Sequence, residues 1–178
     1  GFYARRNGVL ADGLRRAGLP HRFIMGCLLP DVQAVVREVL PEELPSADCV
    51  SLARALWADR SHRECRLAAT MVMPPASLSA EEAAAWARDV CSPEEADVLC
   101  HRLLRRLPYA EALARTLVAE SAAPARYTGW RLLDGLLTVG VPVAEDYWRA
   151  ALPAAIVRAE GPERTLLLQL AMEFGELE

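Results

Sequence analysis

In the stretch CSPEEADVLCHRLLRRL, Cys91 to Leu107, the groups able to do chemistry fall on one helical row. Asp97, His101 and Arg105 lie along it, with Arg102 and Arg106 beside it. One carboxylate among such groups can position water or stabilise a developing positive charge, and arginines can hold phosphate bidentately. The same row also describes a solvated helix face, on which Asp97 and His101 form an i,i+4 pair worth on the order of a few tenths of a kcal/mol. A second row raises the same question. Arg126, Trp130 and Asp134 sit at i, i+4 and i+8, which puts a cation, an aromatic ring and an acid on one face. There the competing reading is a Trp packed against the next helix pair. Arg15 and Arg16 complete the candidate phosphate contacts.

Other chemistries find no foothold. The chain has no Gly-rich phosphate loop, no H-E-x-x-H and no supported Ser-His-Asp order. Its five cysteines, at 27, 49, 65, 91 and 100, are odd in number and lack a C-x-x-C spacing, so they read as reduced, buried, intracellular thiols. Cys91, Cys100 and His101 match no standard ligand spacing, and neither a metal nor a cofactor is expected.

Helices must position these rows. Ser92 is a fit N-cap, Pro93 suits the first helical position, and Glu94 and Glu95 sit at the positive end of the dipole. Ala96, Leu99, Cys100, Leu103, Leu104 and Leu107 then form one apolar stripe through the whole segment. The same punctuation recurs along the chain. A first helix is expected over 2–17, ending at Gly18, and another from Pro30 to Leu40. Asp48 precedes a helix through Trp57, and Ser61 precedes one to Met73. The capping box Ser79-Ala-Glu-Glu82 opens the next, through about Val90. Pro108, Pro124, Pro142 and Gly161-Pro162-Glu163 open the remainder. The sum is about nine or ten helices of roughly 10–16 residues joined by short turns, with no strand patterning.

The chain has 178 residues, fitting one domain over 1–178. It is 53% hydrophobic and 6% aromatic, a balance rich in Ala and Leu that favours helices. Consecutive helix pairs, each too amphipathic to stand alone, predict an all-α solenoid of stacked pairs; a compact bundle is the competing architecture. The net charge of −4 supplies no global field for nucleic acid. All 20 basic residues are Arg, a pattern that base-composition bias accounts for. No apolar run approaches the ~18 residues of a membrane span and no signal pattern is present, so a cytoplasmic protein is expected. The chain begins Gly1-Phe2 without Met, which leaves room for a preceding segment.

Leu52 to Pro75, LARALWADRSHRECRLAATMVMPP, resembles a pattern of the DNA alkylation repair glycosylases (AlkD-like). In them, a helix ending Leu-Trp is followed by a turn and an acid-x-Arg helix. Here Leu56-Trp57, Glu64-x-Arg66, Ala68 and Pro74 fit that layout, and Trp86-x-x-Asp89, Ser92 and Asp97 follow in order. The resemblance covers about residues 30–140. It implies a curved stack of HEAT-like helix pairs that binds duplex DNA in its concave groove. It further implies excision of N-alkylated purines, with one carboxylate stabilising the charge developing on the sugar, aromatic faces holding the lesion, and Arg on the phosphate.

Asp97 stands at the matching acid position, with Asp134 its rival; Arg102, Arg105, Arg106, Arg126 and Trp130 are the expected nucleic-acid contacts. The sequence departs from the pattern where Pro93 replaces the aromatic one turn before the acid, and where Tyr127 follows Arg126 in place of a second base. The expectation is therefore duplex-DNA binding with glycosylase activity weak or lost. The alternative is a non-catalytic scaffold that binds another protein.

Overall fold

Residues 1–41 and 44–175 are described by a computed structural model. Ten α-helices and three 3-10 turns account for the regular structure of these residues, and the one β feature is an isolated bridge between Phe23 and His62. No helix is long and apolar enough to cross a membrane. The chain divides into two compact units, residues 1–79 and 80–178.

In the first unit the expected opening helix is interrupted. A 3-10 turn, Phe2–Arg5, precedes α1, Gly8–Arg16. The break has a local cause and a distant one. Asn7 accepts from the Leu10 amide at 3.1 Å through its side chain, and its own amide donates to the Met25 carbonyl at 2.9 Å. An N-cap and a loop contact together outweigh helix continuation. Three more helices follow: α2 (Leu29–Val39), α3 (Ser46–Ala58) and α4 (Arg63–Val72), with α4 against both α2 and α3.

The acid-x-Arg element of α4 is buried and structural. Glu64 accepts from the amides of Met25, Gly26 and Cys27 at 3.0–3.2 Å and from Arg63 at 2.7 Å. Four donors on one carboxylate offset the cost of burying it. Gly26 must be glycine in this loop: its φ is +72°, and a Cβ would lie 2.2 Å from the Asn7 carbonyl oxygen. Arg66, fully buried, donates to the Trp57 carbonyl at 2.6 Å and lays its guanidinium 3.8 Å above the indole.

The second unit is built around α8, Ala123–Thr138. It packs on α5 (Ala80–Asp89), α6 (Pro93–Arg102), α7 (Ala110–Val118) and α10 (Gly161–Glu173), and α10 packs in turn on α9 (Glu145–Arg158). Helices α7 and α8 approach closely at Gly129, where a Cβ would fall 2.8 Å from Val118 Cγ1 and 2.9 Å from Leu117 Cβ. Leu99, Leu103, Leu104, Leu117, Leu132 and Leu133 are fully enclosed here. Each such burial stabilises by roughly 1.5–3 kcal/mol.

The expected helix over Pro93–Leu107 is shorter than its stripe. It ends at Arg102; Leu103 turns aside (φ −125°, ψ −63°), and Leu104–Arg106 form a 3-10 turn. Leu107 is extended, the conformation that a following proline imposes. All the stripe residues are buried, so burial survives the loss of helical register. Pro108 and Pro142 lie two and three residues ahead of α7 and α9 respectively, in the preceding turns.

Candidate functional site

Helix α6 begins as its sequence dictates. Ser92 Oγ accepts from the Glu95 amide at 3.2 Å, and the Glu95 carboxylate reaches back to the Cys91 amide at 3.1 Å. With that terminus fixed, Asp97 faces α8. It forms no pair with His101. Tyr127 donates its hydroxyl to Asp97 Oδ1 at 2.9 Å, and Arg131 Nε lies 3.0 Å from the same oxygen. Arg131 Nη1 pairs with Asp134 Oδ2 at 2.6 Å. The two rival carboxylates of the sequence are thus joined through one guanidinium.

This row borders a small cavity of about 120 Å³, lined by Asp97, Cys100, His101, Arg105, Arg131, Asp134, Gly135 and Thr138. Burial pushes the Asp97 carboxyl up, against the opposing pull of Tyr127 and Arg131. Burial likewise raises Asp134, with Arg131 opposing and Glu173 adding to the rise. The Tyr127 hydroxyl is held protonated by burial and by the adjacent Asp97, so it remains a donor. His101 is lowered by burial and then by Arg105, Arg102, Arg106 and Arg131 in that order; Arg105 Nη2 lies 3.5 Å from its Nε2. Four arginines thus act on one imidazole although the chain carries a net negative charge.

Both bonds to Asp97 use Oδ1. Among the described residues neither Tyr127 nor Arg131 engages Oδ2. Such a carboxylate, anchored at one oxygen, can turn the other towards a cation or a water.

The remaining sequence candidates are placed as follows. Arg105 is half-buried on the cavity, Arg106 is exposed, and Arg102 is half-buried in the last turn of α6. Arg126 is turned inward: its Nε and Nη2 lie 3.0 and 3.1 Å from the two oxygens of Glu163, and Nη1 donates to the Ser121 carbonyl. That bidentate pair ties α8 to α10. Trp130 is 1% exposed and meets Trp148 edge-on at 5.5 Å. Its side chain therefore offers no open face, although the Trp130–Asp134 spacing is helical. In the first unit Arg15 pairs with Asp12 at 3.0 Å and donates to the Ile24 carbonyl, and Arg16 donates to the Asp12 carbonyl.

Pro93 borders a separate apolar cleft of about 210 Å³ with Pro124, Pro162 and the Tyr127 side chain. No tryptophan lines it. Among the cysteines, all free, Cys27 and Cys100 are buried while Cys49, Cys65 and Cys91 are partly exposed, which corrects the expectation that all are buried. Burial raises the Cys27, Cys65 and Cys100 thiols, Cys65 to about 11, so these three stay protonated at neutral pH.

Sequence reasoning missed Arg131 and misjudged Tyr127. The available signal was spacing: Tyr127, Arg131 and Asp134 recur at i, i+4 and i+7, one face of a helix. Their partner, thirty or more residues earlier, was not legible from α8 alone.

No curated protein and no solved structure matches the chain. Residues 2–131 match the model of a family described as DNA alkylation repair enzyme. The matched span includes Asp97, Tyr127 and Arg131 and stops short of Asp134. Covering well over half of the sequence, that match establishes that the chain belongs to the DNA alkylation repair enzyme family.

Proposed function

We propose that this protein binds duplex DNA with Arg131, Arg105 and Arg106 as phosphate contacts, and that its N-alkylpurine glycosylase activity is weak or lost. HEAT-like pairing of the helices, with a groove for the duplex beside Asp97 and Arg131, is part of the proposal. The observation that carries it is the Tyr127–Asp97–Arg131 arrangement. One acid is anchored at Oδ1, its Oδ2 is left for a cation, and a cation that fits phosphate stands beside it.

The chemistry asked of such an acid is modest. A base alkylated on a ring nitrogen is already positively charged and leaves readily. A carboxylate need only stabilise the charge that grows on the sugar as the bond to the base breaks. What this acid lacks is help. Pro93 stands where an aromatic face would hold the base, Trp130 is covered, and a placement error of about 1 Å costs ~10²-fold.

The test is release of 7-methylguanine or 3-methyladenine from alkylated duplex DNA by the wild type, Asp97→Asn and Asp134→Asn. Release close to the uncatalysed background for all three is expected. Robust release lost in Asp97→Asn overturns the claim of weak activity and makes Asp97 catalytic. Release that survives Asp97→Asn but disappears in Asp134→Asn moves the chemistry to Asp134.

A further inference from the structure

We propose that Asp134 is a built-in competitor for Arg131, so that DNA phosphate and a carboxylate of the protein compete for the same guanidinium. The inference rests on the DNA-binding reading above and adds to it a control on affinity.

The geometry is specific. Arg131 spends Nε on Asp97 at 3.0 Å and Nη1 on Asp134 at 2.6 Å. A guanidinium recognises phosphate best through two parallel N–H bonds. Both edges that offer such a pair, Nε with Nη2 and Nη1 with Nη2, include a nitrogen already directed at a carboxylate. A bidentate phosphate therefore competes with Asp97 on one edge and with Asp134 on the other. Asp134 is the more tightly held of the two acids. Its side chain is 9% exposed against 39% for Asp97, and it sits three residues from Arg131 on the same helix. It cannot follow the arginine outward without unwinding α8. Arg131 itself is 34% exposed, within reach of a ligand at the mouth of the cavity.

The two outcomes for Asp134 differ in free energy. Paired, the buried carboxylate is compensated; deserted, it keeps its desolvation penalty, with Glu173 and Asp97 as unfavourable neighbours. That penalty subtracts from whatever affinity Arg131 gains on phosphate. Asp97, more exposed and also bonded to Tyr127, tolerates the departure better. One guanidinium therefore links phosphate binding to the pairing of both candidate acids, with the larger penalty at Asp134.

The experiment measures binding of an unmodified duplex of about 20 base pairs at low salt. Wild type is set beside Asp134→Asn, Glu173→Gln, Arg131→Gln and the double variant Arg131→Gln/Asp134→Asn. Glu173→Gln removes the same charge from the same neighbourhood without touching Arg131 and measures the general charge effect. Asp134→Asn is expected to tighten binding by about fivefold or more, since this pair is only partly exposed to solvent. Glu173→Gln should give less than a twofold change, and Asp134→Asn should give no gain once Arg131 is Gln. Circular dichroism checks folding, and Asp134→Ser takes the same place in the cycle if the Asn variant does not fold. No gain in Asp134→Asn, an equal gain in Glu173→Gln, or a gain that persists without Arg131 each overturns the competitor role while leaving DNA binding intact. Failure of both wild type and Asp134→Asn to bind removes the DNA-binding reading, and this inference with it.

Discussion

Asp97 marks the limit of what a row of residues can say. Its spacing predicts a partner at His101, one turn along. The partners it takes are Tyr127 and Arg131 on another helix, because a half-buried carboxylate gains more from two aimed donors than from an exposed i,i+4 neighbour. That choice leaves His101 among arginines, with a consequence that can be read directly. Burial first, then Arg105, Arg102, Arg106 and Arg131, lower its pKa below the usual 6.5. Between the folded value and 6.5 the unfolded chain binds more protons at this site, so its contribution to stability is present above 6.5 and is lost as pH falls through the folded value. Titration of His101 by NMR should give a midpoint below 6.5 that rises when duplex DNA neutralises the surrounding arginines. A midpoint at or above 6.5 in low salt would mean that the arginines do not converge there.

At the scale of elements the sequence was mostly legible and its errors are instructive. Caps and prolines announced α5 to α10, because Ser92 and Pro93 act within their own turn. The misplaced boundaries lie where a distant group intervenes. Asn7 answers to Met25, and Leu103 leaves the helix so that Leu103 and Leu104 are both fully enclosed. Gly129 was silent in the sequence for the same reason, since its neighbours belong to α7. A glycine inside a helix normally costs roughly 1 kcal/mol against Ala. Gly13→Ala in α1, where a new Cβ meets nothing within 4 Å, should therefore raise Tm slightly. Gly129→Ala should lower stability by about 1–3 kcal/mol, as its Cβ has no room beside Leu117 and Val118. Thermal unfolding followed by circular dichroism checks both; equal shifts of the same sign would contradict the close packing of α7 on α8.

For the whole molecule, the all-α class followed from composition and punctuation, and the family from the order of a few residues around Trp57, Glu64 and Asp97. The roles of those residues were only partly visible. Glu64 and Arg66 prove to be buried supports of a loop and an indole, while Arg126 and Trp130 serve packing. What spacing cannot supply is the choice between inside and outside, which depends on every helix together. With a net charge of −4 on the chain, the proposed DNA binding must come from local arginines and must be sensitive to salt. Affinity for an unmodified duplex, measured across a salt series for wild type and Arg131→Gln, tests this most directly. The account predicts binding at low salt that weakens steeply as salt rises, and a slope smaller by roughly 0.9 when Arg131 is lost. Absence of binding at the lowest salt, or a slope that Arg131→Gln leaves unchanged, would contradict it.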